Sequence, residues 1–136
     1  DAEMFLENDL TAFRNVLGAD AVMFTIIKDW RRNNLGGKLK VNIEYILRST
    51  KTGQTLYQRE GDISVDTSVN TGSGAFGALA SLIATAISTA TTDKVIAGRK
   101  CNAFVLSDLP AGKYSNQYEV DKRNPAGKPV IKATVK

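Results

Sequence analysis

The sequence predicts an α+β domain of two layers, in which a three-stranded antiparallel meander carries helices on one face. Three observations predict it. Residues 3–17 place apolar side chains at helical spacing, three stretches between residues 20 and 65 have the composition of β-strands, and residues 76–96 form a long segment with helical periodicity. Short polar connections between the strands favour hairpins, so the strands are expected to be antiparallel neighbours, alone or within a larger mixed sheet.

Composition fits one soluble domain and argues against an enzyme. The chain has 136 residues, 43% hydrophobic and 24% charged, which suits a single hydrophobic core. It contains no histidine and one cysteine. Because histidine is the commonest general base and metal ligand, we expect no catalytic residues, no cofactor and no metal site. One cysteine cannot form an internal disulfide.

The net charge of +4 belongs to the C-terminal segment. Residues 113–136 hold two acidic residues and six basic ones, whereas residues 1–112 hold twelve of each sign. A basic face spread over the folded domain, as nucleic-acid binding requires, is therefore not expected. We predict one α+β domain over residues 1–112 and a basic, proline-containing tail over 113–136, with Val130–Val135 a weak candidate for an edge strand.

The first two predicted elements are a helix and a strand. Residues 3–17 are predicted to form one helix that Gly18 ends in the left-handed conformation. Residues 20–30 are rich in β-branched and aromatic residues and have apolar groups on both alternating sets, which predicts an interior strand covered on both faces at its start. The polar residues 31–37 end in two glycines, so they are predicted to connect a hairpin.

The next two strands have opposite expected environments. Residues 38–48 alternate apolar and polar, with Ile46 as the exception, which predicts one buried and one solvated face. The Thr52-Gly53 step predicts a tight turn into a strand over 55–65. Its charged residues Arg59, Glu60 and Asp62 predict that it lies on the more solvated side of the meander.

A long neutral helix is the most unusual local feature. Residues 66–75 predict a loop, and residues 74–92 contain no ionisable side chain. The helix predicted over 76–96 either fills the core of its own domain or contacts another subunit, a dimer being the commonest assembly. An open edge of the sheet offers a second contact surface. The candidate interaction residues are Phe76, Leu79, Ala80, Leu82, Ile83, Ala84 and Ile87 on the helix, with Trp30 on the first strand.

Other candidate sites have both a chemical and a structural interpretation. Trp30, Arg31 and Arg32 can stack a base or grip a phosphate, or else cap the sheet with solvated arginines. Cys101 follows two basic residues, which favour a thiolate, but without a histidine a buried structural thiol is preferred. The glycines of 71–74 precede a helix but lack the Lys-Ser/Thr step of a phosphate-binding loop. The acidic residues that we expect to be separate and solvated are Asp29, Glu44, Glu60, Asp62 and Asp66.

Two segments carry a family resemblance. The run Leu17–Phe24 passes from a helix end through Gly-Ala-Asp into a strand, and Tyr45–Leu56 forms a hairpin around Thr-Gly. With the later apolar helix, these segments resemble the periplasmic domain shared by the curli-secretion lipoprotein CsgG and the amino-terminal domain of TolB. More narrowly, the chain resembles a family of bacterial outer-membrane lipoproteins known from Neisseria.

The resemblance implies a role without catalysis. It implies a periplasmic domain of an outer-membrane lipoprotein that acts as an assembly or adaptor component in envelope transport or secretion. Its partners would be a second copy and other transport or secretion proteins, with membrane attachment only through a lipid anchor upstream of Asp1. The alternative is a nucleic-acid or anion-binding module that uses Trp30, Arg31, Arg32 and the basic tail.

Overall fold

The computed structural model is an α+β fold with one four-stranded mixed sheet. It describes residues 4–33, 36–91, 94–125 and 127–136, and the Phe76 side chain lies outside the described part. In chain order the elements are α1 (Met4–Glu7), α2 (Thr11–Leu17), β1 (Ala21–Asn33), β2 (Lys38–Ser49), β3 (Thr55–Asp66), α3 (Gly74–Thr91), α4 (Lys94–Val105) and β4 (Val130–Val135). The strand order is β1-β2-β3-β4, antiparallel up to β3, with β4 parallel to β3.

The core lies between α4 and one face of β2 and β3. Alternation along β2 buries its odd-numbered residues, as predicted, and α4 contributes one buried residue per turn. Gly61 of β3 allows the close approach, because a Cβ there would collide with Val105 and lie 3.2 Å from the Cys101 sulfur. The buried apolar cluster consists of Leu39, Val41, Ile43, Tyr45, Ile63, Val65, Ala97, Cys101 and Val105.

The prediction that β1 is an interior strand is wrong. β1 pairs only with β2 at the edge of the sheet, and each of its residues is at least partly exposed. The connection is also shorter than predicted, because Trp30, Arg31 and Arg32 extend the ladder opposite Val41, Lys40 and Leu39. In the first half of β1, the apolar residues Val22, Met23, Phe24 and Ile26 are only half-buried, on both faces of the sheet.

The prediction that β3 lies on the solvated side is also wrong. The chain returns through α3 and α4, and β4 pairs with β3 from Glu60↔Val130 onward, so β3 becomes an interior strand. Its charged residues divide between the two faces by alternation. Arg59 turns towards α4 and is only 4% exposed, while Glu60 and Asp62 lie on the open face.

The helices differ from the prediction in two ways. The helix predicted over 3–17 is divided into α1 and α2, and between them the Asp9 carboxylate accepts the Thr11 N–H at 3.0 Å in a local turn. Gly18 ends α2 at φ 65°, as predicted. The helix predicted over 76–96 is two helices, α3 and α4, and the junction at residues 92–93 lies outside the described residues.

The helices do not share one face of the sheet. Arg48 alternates away from the α4 face, and its guanidinium donates to the Phe5 and Leu6 carbonyl groups. The α1 end therefore contacts the opposite face, which corrects the prediction that helices pack on one face only. The predicted tail supplies β4, and two contacts tie it down: Glu60 N–H donates to the Pro129 carbonyl at 2.9 Å, and Lys113 pairs with Asp20 at 2.5 Å. The division of the chain at residue 112 stays a prediction.

Candidate interaction face

The side of α3 that faces its own domain is polar. Val69 N–H donates to the Thr85 hydroxyl and Thr71 N–H to the Ser81 hydroxyl, both at 2.9 Å. The hydroxyl groups of Thr67 and Thr89 lie 2.5 Å apart. Ser81, Thr85 and Thr89 recur every four residues, so they form one stripe on the helix. This stripe satisfies backbone N–H groups of the loop 67–73 that precedes α3.

Small residues let this loop and the β1–β2 hairpin approach α3 closely. A Cβ at Gly77 would lie 2.7 Å from the Gly72 carbonyl carbon, and a Cβ at Gly37 would lie 2.7 Å from the Thr85 methyl group. Both positions therefore require glycine, and Gly37 also has φ 59°. At its C-terminal end, α3 is held by Arg32, which donates to the Ala90 carbonyl at 3.0 Å.

The opposite side of α3 is apolar and faces outward. Four large aliphatic side chains, Leu79, Leu82, Ile83 and Ile87, are between 54% and 58% exposed. We call these four residues the α3 outer face. Ala80 is exposed and Ala84 is half-buried beside them, while the predicted contribution of Phe76 falls on a side chain outside the described part.

The polarity of α3 is therefore the reverse of that of an ordinary surface helix. Surface helices normally turn their apolar stripe towards the core and their polar residues towards water. Here hydroxyl groups point inward, aliphatic groups point outward, and the core cluster is built from β2, β3 and α4. Contiguous exposed aliphatic surface of this kind typically marks an interaction site.

Trp30 and its neighbouring arginines lie elsewhere. The Trp30 ring packs against α4, where a Cβ at Gly98 would lie 3.5 Å from the ring, and its indole nitrogen is buried. Arg31 is paired with Asp29 at 2.7 Å, and Arg32 is bound to the end of α3. The ring is therefore not presented for stacking on a base. Trp30 contributes to packing between the sheet and α4, apart from the α3 outer face.

An ion pair between the buried Arg59 guanidinium and the exposed Asp108 carboxylate holds the C-terminal end of α4. Arg59 donates to the Val105 carbonyl at 3.0 Å and to the Asp108 carboxylate, and its guanidinium lies 4.9 Å from the centre of the Tyr57 ring. The hydrogen bond from Arg59 lowers the pKa of Asp108. Tyr57, Arg59 and Asp108 border a cavity of about 630 Å³, which Asp121 and Pro125 also line. Sequence reasoning missed this pair, because its members are 49 residues apart.

Cys101 is buried in the core, in agreement with the structural interpretation. The Tyr45 hydroxyl lies 3.5 Å from its sulfur and donates to the Asn102 amide oxygen at 2.6 Å. Burial raises the pKa of the Cys101 thiol and also that of Tyr45. A protonated, inaccessible thiol is a poor nucleophile.

Two of the acidic residues expected to be separate are brought together on the open face of the sheet. Lys28 lies 2.9 Å from both Glu44 and Glu60. The Lys28 hydrogen bond lowers the pKa of Glu44, and hydrogen bonds from Asn42 and then Lys28 lower that of Glu60. Both carboxylates are therefore ionised at neutral pH, which does not match the separated pKa values of an acid–base pair.

The described residues show neither a metal-binding cluster nor a helix that could span a membrane. Over the described residues, no group of three or more Cys, Asp or Glu side chains converges on a position for a metal ion. Within the same residues, every helix falls short of the length and apolarity that crossing a bilayer needs.

Comparison with known proteins gives one weak structural similarity to report. No family model matches the chain, and no curated protein matches it. Among solved structures, the chain is similar to lipoprotein GNA1162 from Neisseria meningitidis, at 20% sequence identity and a TM-score of 0.43, over 64% of this chain. The match covers 61% of the lipoprotein chain, so this chain spans about three fifths of its length.

Proposed function

We propose that this chain is a non-enzymatic assembly or adaptor domain of the bacterial cell envelope and that the α3 outer face is its docking surface. The observation that carries the proposal is the reversed polarity of α3. Four aliphatic residues are 54–58% exposed, while Thr85 and Thr89 of the same helix are buried. Burying such side chains stabilises a complex by roughly 25 cal/mol per Å² of apolar surface, and this favours an occupant on the face.

The chemistry of the other groups supports a role in binding rather than catalysis. The thiol of Cys101 is buried with a raised pKa, and Glu44 and Glu60 are both paired with Lys28. Arg59 is bound to Asp108 and a backbone carbonyl. These four groups are thus engaged in the structure of the domain.

The envelope location and the transport or secretion partners come from the resemblance to the lipoprotein family. The same resemblance implies attachment to the outer membrane through a lipid anchor upstream of Asp1. Fractionation of source cells that express the full-length protein tests the location. A lipid-modified cysteine upstream and recovery with the outer membrane are expected, whereas recovery in the cytoplasm would overturn the envelope part of the proposal.

Docking on α3 can be tested in the same cells. An Ile83→Cys variant of the full-length protein is treated with a maleimide in intact envelopes and, separately, after dilution of the purified protein. We expect slow labelling in the envelope and fast labelling in dilute solution, because the occupant covers position 83 only when it is bound. Lys51→Cys, on the exposed β2–β3 turn, is the matched control and should label fast in both. Equal labelling of both positions in the envelope would reject α3 as a docking surface.

A further inference from the structure

The α3 outer face has the shape of a ridge between two shallow grooves. Leu79, Ile83 and Ile87 follow one another at intervals of four residues, which aligns them in one row along the helix. The row on one side contains Ala80, Ala84 and Ser88, and the row on the other contains Ala78, Leu82, Ala86 and Ala90. Because all of these but Leu82 are small, the large row stands out from its surroundings.

The row is also symmetric about its centre. Leu79 and Ile87 are each four residues from Ile83, and their side chains are exposed to almost the same extent, 56% and 58%. A two-fold axis through Ile83 would place Leu79 of one copy beside Ile87 of another, and each row would enter an alanine groove of the other helix. Ridges that fit grooves are the usual basis of helix packing.

We propose that the occupant of the α3 outer face is a second copy of this chain, whose α3 lies antiparallel across a two-fold axis at Ile83. This inference rests on the proposed function and names its partner. Symmetric dimers bring the same patch of both copies together, so such a patch must be complementary to itself. The row between two grooves meets that condition.

Charge favours the same occupant. Residues 74–92 contain no ionisable side chain, although the chain carries a net charge of +4. Two copies can therefore meet along α3 without placing like charges against each other. A strongly acidic or basic partner would gain no complementary charge from this face.

The two sheet edges are poorer places for self-association. The pairing of β1 with β2 shifts between Ile27 and Asp29, so that Lys28 forms a bulge in one edge strand. The other edge strand, β4, has only six residues and carries Lys132. Bulges, short edge strands and lysine residues oppose pairing with another strand, so both edges are less suited than α3 to a contact between copies.

The size of the face sets the strength of the dimer. α3 has 18 residues and is about 27 Å long. One helix pair buries less than the ~800 Å² per partner of a standard stable interface. We therefore expect a reversible dimer with a dissociation constant on the order of micromolar.

Disulfide cross-linking of the purified chain tests the arrangement. Ile83→Cys should form a dimer by itself under mild oxidation, and a mixture of Leu79→Cys with Ile87→Cys should cross-link between the two variants. Leu79→Cys alone should not, because the axial distance between its two copies is about 12 Å, beyond disulfide reach. The unmodified chain, with buried Cys101, is the background control. Self-linking of the Leu79→Cys and Ile87→Cys variants would indicate parallel helices and overturn the proposed geometry.

Sedimentation tests the dimer itself. The unmodified chain should dimerise in the micromolar range, and Ile83→Arg should raise the dissociation constant at least tenfold while circular dichroism stays unchanged. Val16→Arg is the matched control on α2, where the valine is 80% exposed, and it should leave dimerisation intact. The second copy is not the occupant if the chain stays monomeric at millimolar concentration. The same conclusion follows if the monomer binds phosphatidylglycerol vesicles in a flotation experiment and Ile83→Arg abolishes that binding. If position 83 is nevertheless protected in the envelope, the docking function stands and only the partner is wrong.

Discussion

The two helices of the connection between β3 and β4 show that apolar content does not decide which helix is buried. α3 has no charged residue, yet its four large aliphatic side chains face outward. α4 carries Lys94, Arg99 and Lys100, yet Ala97, Cys101 and Val105 are fully buried against the sheet. Both helices have an apolar row at four-residue intervals, so the difference lies in what each row can pack against. The small and medium side chains of α4 fit over Gly61, whereas the inner side of α3 is given by the hydroxyl groups that bind the loop 67–73.

The largest expected effect comes from placing the same charge on each helix. Ala97→Arg puts an unpaired guanidinium into the core and should destabilise the domain by more than about 4 kcal/mol, which is enough to unfold it. Ile83→Arg should change the free energy of unfolding of the monomer by less than about 0.5 kcal/mol, because the side chain extends into water. Urea unfolding followed by circular dichroism checks both. A folded Ala97→Arg variant, or an unfolded Ile83→Arg variant, would reverse the assignment of core and outer helix.

The next largest loss of stability is expected when Arg59, which holds the C-terminal end of α4, is replaced. Arg59→Ala should cost about 1–3 kcal/mol, because it removes the donor to the Asp108 carboxylate and leaves the Val105 carbonyl with only the 3.3 Å hydrogen bond from the Tyr57 hydroxyl. Arg59→Met keeps the packing of the side-chain stem and should recover part of the loss. Chemical denaturation of the unmodified chain, Arg59→Ala and Arg59→Met measures these differences in the free energy of unfolding. An Arg59→Ala variant as stable as the unmodified chain would mean that the ion pair does not hold the end of α4.

The ion pair of Arg59 and Asp108 predicts that the free energy of unfolding depends on pH. The Arg59 hydrogen bond lowers the pKa of Asp108 in the folded state. The ion pair therefore contributes fully to the free energy of unfolding above the pKa of an unfolded aspartate, about 3.9, and this contribution is lost as the pH falls through the lower pKa of the folded state. The stability difference between the unmodified chain and Asp108→Asn should therefore be constant from pH 7 to 5 and shrink towards pH 3. A difference that grows on acidification would contradict this linkage.

A smaller effect is expected for the inner stripe of α3. Thr85→Val keeps the shape of the side chain but removes the acceptor for the Val69 N–H, and should cost about 1 kcal/mol. The loss should be local, with faster hydrogen exchange in the loop 67–73 and in α3 and little change in β2. Thr91→Val at the exposed end of the helix is the control. If exchange rises equally in β2, then α3 is part of the cooperative core.

The smallest expected effect is an absence of binding. Labelled DNA or RNA titrated at low salt should not bind a full-length variant in which Lys122, Arg123 and Lys128 are replaced by glutamine, because Trp30 is packed on α4 and Arg31 is paired with Asp29. Micromolar binding that collapses on adding salt would restore the nucleic-acid alternative. The unmodified chain should be measured beside it, since residues 113–136 hold the excess positive charge.

Much of the local structure was predictable, but the candidate site was predictable only in part. The neutral stretch marked Leu79, Leu82, Ile83 and Ile87 as candidates for an interaction surface, but it left open whether they fill the core. The four-residue spacing of Ser81, Thr85 and Thr89 was a signal that could have given the direction. It was missed because hydroxyl groups at helical spacing are equally compatible with a solvated face, until the loop that they bind is known.

The sequence by itself determined the features that depend on neighbouring residues. Alternation defined β2 and the phase of β3, Gly18 ended α2, and Gly53 placed the hairpin turn, because side-chain direction and backbone conformation follow local steric rules. Only the tertiary structure decided that β1 is an edge strand, that β3 is interior and that Arg59 meets Asp108. Those outcomes depend on where β4 pairs and where α4 packs, and contacts between residues about 50 or more apart leave no periodic signal in the chain.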